Sequence, residues 1–357
     1  MTQDMAQNRK DDHLRLALDQ QANSSTNSFD QVRLVHRPLA KLSLNEIDTS
    51  TIWAGQQHRS PLYINAMTGG SEKAKVYNQQ LARLAHEANL AMGVGSISAA
   101  LAYPDLIDTF TVIRQENPNG FVLANLGAHH NLENAKRAVD LIRADALQIH
   151  LNVCQEIIMP EGDRDFSTWQ DNIQDIVENL GLPVIVKEVG FGMDQSSIQE
   201  LIRLGVQTID ISGRGGTNFA QIENDRNQQF DFSVLKNWGQ TTVESLLESL
   251  PFQSEVSFLA SGGIRNFLDV TKALALGAKA CGMAGKILQM VDQLGIDQSL
   301  KQIEAFDQAL KHSLLLLSCS NINDLQNVDL VLTGQNLEWA MARGIDFQGL
   351  AQRNKIN

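Results

Sequence analysis

Eight short apolar runs, each ending in small or polar residues, constrain this chain more than any other feature. They read YINAM from residue 63, AMGVGS from 91, FVLANLG from 121 and ALQIHLN from 146. PVIVKEV from 183, VQTIDIS from 206, EVSFLASGG from 255 and KACGMAG from 279 complete the series. Longer amphipathic stretches such as NQQLARLAHEANL and NFLDVTKALALGA lie between them. Continuous apolar strands alternating with helices imply parallel βαβ units covered on both faces. Eight such units imply a closed (β/α)8 TIM barrel of the α/β class, in preference to an open doubly wound sheet. The first 60 residues are polar, and QQANSSTNSF from residue 20 reads as a mobile linker. The expected organisation is a polar N-terminal arm and lead-in over 1–60, then one barrel with C-terminal helices over 61–357.

Chemistry on such a barrel sits at the C-terminal ends of its strands. The fourth run, ALQIHLNVCQEIIMPEGDR over 146–164, fits that rule. With Leu147, Ile149 and Leu151 facing the helices, Gln148, His150 and Asn152 face the lumen, because strand side chains alternate. The same count turns Thr208, Asp210 and Ser212 inward. Gln148 and Asp210 lie low on their strands and are expected to be paired internally, as most buried polar groups are. His150, Asn152 and Lys187 lie near the mouth and are expected to be functional. Lys187 and Glu188 have opposite parity, so the two side chains should point apart.

ASGGIRNFLDV follows the seventh run and GMAGKIL the eighth. Both are small-residue turns that open a helix, where backbone N–H groups and the helix dipole favour an anion. This pair of loops is a common phosphate seat in barrels, and Arg265 stands beside it. NAMTGG after the first run, with Ser96, Asn125, Lys187 and Thr217, supplies further donors. A flavin mononucleotide fits that distribution, with its phosphate at the last two loops and Lys187 near the electron-rich edge of its ring.

A net charge of −12 argues against nucleic acid or an anionic membrane as partner. Three scattered cysteines without CxxC spacing fit a reducing cytoplasm and no structural zinc. The opening MTQDMAQNRKDDHLRLAL has no basic start followed by an apolar run, so no signal peptide is expected. No window reaches the roughly 18 apolar residues of a membrane span.

Taken in order, RKDDH, NAMTGG, VGSISAAL, NLGA, HLNVCQE, MPEGDRDF, VIVKEVGFGM, DISGRGGTNF, ASGGIR and GMAGKIL resemble the type 2, FMN-dependent isopentenyl-diphosphate isomerases over nearly the whole chain. The resemblance implies interconversion of isopentenyl and dimethylallyl diphosphate with reduced FMN as acid–base catalyst. It also implies Mg2+ for the diphosphate, NADPH as reductant and a homo-oligomer, a tetramer or larger. Arg9 and Lys10 would bind the diphosphate, and His13 would be a further substrate-binding residue. Ser96, Ser98, His150, Asn152 and Gln155 would line the substrate site, with Gln155 and His150 the catalytic candidates and Glu156 the metal ligand. The flavin contacts would be Ala66, Met67, Thr68, Ser96, Asn125, Lys187, Ser212, Thr217, Gly262, Gly263, Arg265, Ala284 and Gly285. FMN-dependent 2-hydroxy-acid oxidoreductases share the barrel. In the family pattern they carry a base His after the sixth strand, where this chain has Arg214 in SGRGGTN. A non-catalytic phosphate-binding barrel is the third reading.

Overall fold

The computed structural model describes residues 3–21, 27–67, 69–227 and 229–354. All eight runs form strands: β1 Leu62–Ile64, β2 Ala91–Gly93, β3 Val122–Gly127, β4 Ala146–His150, β5 Val184–Lys187, β6 Thr208–Asp210, β7 Ser257–Ser261 and β8 Ala280–Met283. Each pairs in parallel with the next, and β8 returns to β1 with Cys281 opposite Leu62 and Met283 opposite Ile64, closing the barrel. Leu147 and Ile149 join the layer between strands and helices, as their parity requires.

The lower lumen is apolar. Tyr63, Ala91, Leu123, Ala146, Ile185, Leu259 and Ala280 fill it, together with Trp53. Trp53 comes from a hairpin, Thr51–Trp53 with Gln56–His58, and stacks on His58 at a centroid distance of 4.2 Å. This hairpin closes the end of the barrel opposite the mouth.

Above that floor lies a polar layer built around Asp210, which is fully buried. It accepts hydrogen bonds from Tyr63 Oη at 2.7 Å, Asn65 Nδ2 at 2.9 Å, Ser261 Oγ at 2.8 Å and the Ser212 N–H at 3.1 Å. Asp210 is thus paired internally, as expected. Gln148 is only half paired: Nε2 donates to Asn65 Oδ1 at 3.3 Å, while Oε1 has no partner. A Cβ on Gly93 would come within 2.8 Å of that oxygen, so glycine at the end of β2 leaves room for the amide.

The segment before the barrel is built into it. Phe29, Val32 and Ile47 belong to the main core, and Val32–Leu34 pairs antiparallel with Leu330–Leu332. The reading of 20–29 as a mobile linker is corrected at its end. Asn27 caps the Ser28–Gln31 turn, and Phe29 is completely buried, so its apolar ring anchors the chain. Residues 22–26 lie outside the described residues. The N-terminal helix Gln3–Gln21 buries Leu14 and Ala17 and lies against the Gly285–Leu316 helix.

Candidate active site

The mouth of the barrel holds a cavity of about 380 Å³, within the range of small-molecule sites. Each site residue expected from the sequence lines it, save Thr68, which lies outside the described residues. The strands supply Asn125, His150 and Lys187, and the loops beyond them supply Ser212 and most of the rest. Arg9, Lys10 and His13 reach the cavity from one face of the N-terminal helix, spaced so that successive turns present them together.

On β4 the polar face is tightly ordered. Asn125 Nδ2 donates to the Val94 carbonyl at 3.1 Å, so its Oδ1 is the acceptor 2.9 Å from His150 Nδ1. His150 therefore carries its hydrogen on Nδ1. Burial, then the charge of Lys187, holds its pKa well below the usual histidine value. The neutral ring presents the lone pair of Nε2. Asn152 Nδ2 donates to Glu156 Oε1 at 2.7 Å and to Gln155 Oε1 at 3.3 Å. The second carboxylate oxygen of Glu156 accepts from the Asp163 N–H at 2.9 Å, which ties the carboxylate to the PEGDR loop.

Gln155 Nε2 donates to Glu223 Oε1 at 2.8 Å. Glu223 is the main residue the sequence did not reveal. It stands in the Phe219–Arg226 helix, just beyond the DISGRGGTNF motif, and is fully buried. Arg226 pairs with its other oxygen and reaches Glu161 at 3.1 Å. His13 Nε2 lies 2.8 Å from Glu223 Oε1, though without hydrogen-bond alignment. Burial pushes the Glu223 carboxyl up, but the neighbouring His13, Gln155 and Arg226 bring it down to about 2. The only signal available was its i+4 spacing from Phe219, which lines the cavity, whereas Glu223 meets it only through Gln155.

Lys187 is buried, and its Nζ donates to the Glu188 carbonyl at 2.7 Å. The Glu188 carboxylate turns away and accepts from the N–H groups of Val189, Gly190 and Phe191. The two side chains point apart, as parity requires. Burial lowers the lysine pKa, against the opposing charges of Asp210 and Glu188. Lys10 is lowered further, to about 7, by burial and then by Arg9.

The loops after β6 and β7 interlock backbone to backbone. At Gly262 (φ +97°) a Cβ would lie 1.9 Å from the Gly213 carbonyl oxygen, and at Gly263 (φ +74°) it would lie 2.8 Å from that of Gly215. Arg265 is held by Asp269 at 2.8 Å and Asp30 at 2.5 Å, so this end of the cavity contains an arginine whose position is fixed and whose charge is met by two carboxylates. Beside it, Ala284 and Gly285 open the Gly285–Leu316 helix, whose first N–H groups have no partner within the helix.

An FMN fits these residues. The glycine turn and helix start, with Arg265 beside them, would receive its phosphate at one end, and the buried Lys187 lies at the strand ends. Ala66, Gly95 and Gly282 along the cavity leave space for a flat ring. A Mg2+ fits only in part through the protein. Among the described residues no group of three His, Cys, Asp or Glu side chains could hold a metal. Glu156 offers one carboxylate, which suits a cation that takes its remaining ligands from phosphate and water.

Residues 108–332 match the FMN-dependent dehydrogenase family. The isopentenyl-diphosphate delta-isomerase of Latilactobacillus sakei is 47% identical over 93% of this chain and 95% of its own length. That of Staphylococcus epidermidis is 43% identical over 97% and 99%. Among solved structures, a flavocytochrome b2 variant superposes with a TM-score of 0.66 at 18% identity, covering 97% of this chain and 88% of its own. A mandelate oxidase gives 0.62 at 16% identity, covering 91% and 96%. These distant structures share the barrel. Arg214, which stands where the oxidases in the family pattern carry their base, does not line the cavity. The chain belongs to the isopentenyl-diphosphate delta-isomerases, on the barrel of the FMN-dependent dehydrogenase family.

Proposed function

We propose that the protein interconverts isopentenyl and dimethylallyl diphosphate with FMN and Mg2+. The observation that carries this reading is one cavity in which the Arg9, Lys10 and His13 face of a helix, a tethered Glu156 carboxylate and a flavin-sized bed with Lys187 meet. Arg9, Lys10 and His13 would bind the diphosphate, and Glu156 would hold a Mg2+ that offsets its charge. Asn152 and the Asp163 N–H orient that carboxylate before the ion arrives.

Double-bond migration is a net proton shift with no net redox change. Bound in its reduced form, FMN supplies an electron-rich ring able to exchange a proton with the alkene carbons. Lys187 places a buried cation beside that ring. His150 offers Nε2 as an acceptor toward the substrate. Gln155 has both ends of its amide engaged, with Asn152 and with Glu223, so it orients the site. NADPH as the reductant and a cytoplasmic setting complete the proposal; among the described residues no helix is long and apolar enough to cross a membrane. The exposed Phe230, Val234 and Trp238 on the β6 side suit a homo-oligomeric contact.

The test is an anaerobic assay with photoreduced FMN, Mg2+ and isopentenyl diphosphate. Formation of the allylic isomer supports the reading, and its absence with flavin bound and reduced removes it.

Two further results are expected. Glu156→Gln keeps the shape of the side chain but not its charge, and magnesium holds neutral amides poorly. The variant should need at least about tenfold more Mg2+ for half-maximal rate, with FMN reduction unchanged. Superimposable magnesium titrations for the two proteins would place the metal elsewhere.

Lys10, at about 7, is mostly neutral at pH 8. A bound diphosphate restores its charge, so binding at pH 8 should take up close to one proton, and uptake should shrink toward pH 6, where Lys10 is already charged. Calorimetry in two buffers of different ionisation enthalpy measures this. Equal heats in both buffers at pH 8 would show that Lys10 does not meet the anion.

A further inference from the structure

A hydrogen-bond chain leaves the cavity beside β2 and ends on the outer face of the Leu132–Ile142 helix. Ser96 Oγ lies 2.8 Å from Ser98 Oγ, and Ser98 Oγ lies 2.7 Å from His130 Nε2. His130 Nδ1 is 3.2 Å from Asn134 Nδ2, and Asn134 Oδ1 is 3.2 Å from Arg137 Nη1. Hydroxyls and imidazoles can donate either way, so the first links carry no direction of their own.

The last link sets it. A guanidinium only donates, so Asn134 turns Oδ1 to Arg137 and leaves Nδ2–H for His130. Nδ1 of His130 is then an acceptor. Burial, then His129, holds His130 at about 4, so the ring is neutral and its hydrogen sits on Nε2. That N–H donates to Ser98, the Ser98 O–H donates to Ser96, and the Ser96 hydrogen is left for the cavity it lines.

We infer that Arg137, Asn134 and His130 are positioning residues that fix Ser96 as a hydrogen-bond donor to an electron-rich acceptor on the bound ligand. Two sources offer such an acceptor: the flavin ring and a diphosphate oxygen. Five groups spanning two strand-to-helix loops and a helix thus give one hydroxyl a fixed polarity. The inference rests on the proposed isomerase activity only where turnover is read; the direction of the chain belongs to the protein itself.

Asn134→Asp tests it at nearly constant shape. A carboxylate only accepts, so His130 should move its hydrogen to Nδ1, and both serine hydroxyls should turn outward, away from the ligand. Asn134→Ala removes the direction without imposing the reverse. In 15N-histidine-labelled FMN-loaded protein, with His130 signals identified by their loss in His130→Gln, the native chain should show the Nε2–H tautomer and Asn134→Asp the Nδ1–H form. Turnover should fall about tenfold in Asn134→Asp, the loss of one hydrogen bond to a charged group, and less in Asn134→Ala. Weaker FMN binding in Asn134→Asp makes the flavin the acceptor. Unchanged FMN binding with weaker inorganic diphosphate binding makes it the substrate end. An Nδ1–H tautomer in the native protein overturns the inference, as do unaltered affinities and turnover in Asn134→Asp. Absence of isomerisation alongside the expected tautomers and shifted affinities would instead overturn the proposed function.

Discussion

Gly262→Ala should give a protein that no longer retains FMN and melts well below the native one. The added methyl would stand 1.9 Å from the Gly213 carbonyl oxygen, and backbone at φ +97° strains any side chain. Neither partner is a flexible side chain, so the loops after β6 and β7 must separate. A cost of about 3 kcal/mol or more follows from such backbone displacement, and a Tm lower by roughly 5 °C or more. Gly181→Ala is the control: its φ is +77°, but nothing lies within 4 Å of the new methyl. It should lose only the backbone strain, about 1 kcal/mol. Equal melting of the two variants would mean that the interlocked loops do not hold the anion seat together.

Lys187→Met should reduce turnover by about 10²–10³-fold, the scale seen when a preorganised charge partner is lost from a dry site. Methionine retains most of the bulk, so the barrel should fold, and the Glu188 carbonyl loses only its ammonium donor. The pH dependence carries a second signature. Because burial lowers the lysine pKa, the cation is present at low pH and is lost as pH rises through a value below that of a free lysine. Native activity should therefore fall on the alkaline side earlier than a free lysine would dictate, and the methionine variant should lack that limb. Full activity in Lys187→Met, or an unchanged alkaline limb, would remove the cation from the chemistry.

The barrel was legible because parallel strands are buried on both faces and read as apolar runs. The β4 face was legible because a strand period of two separates lumen from helix layer without further information. Glu223 was hidden for the opposite reason. It lies on a short helix with little amphipathic contrast, and only the fold brings it to Gln155, 68 residues earlier. The N-terminal helix escaped notice as an ordered element because it is polar nearly all round; its place is set by Leu14 and Ala17 against the barrel helices. The direction of the Ser96 chain needs an arginine, an asparagine and a histidine from one loop and helix to meet two serines from another, a long-range fact that no local pattern encodes.

The Asp210 layer has a consequence for how the chain can be divided. Tyr63 comes from the first strand and Asn65 from the residue after it, Gln148 from the fourth, Asp210 from the sixth and Ser261 from the seventh. A fragment ending after the fourth strand would carry a phenol and two amides facing one another with no carboxylate to receive them. A fragment beginning after it would keep Asp210 with Ser261, the Ser212 N–H and the charge of Lys187, but would lose the Tyr63 and Asn65 donors. Each half alone would bury unmatched polar groups at about 1–3 kcal/mol apiece. Half-barrels expressed separately should therefore be poorly soluble and recover native structure only when mixed, and the intact chain should complete this layer late, because Tyr63 and Asp210 are 147 residues apart.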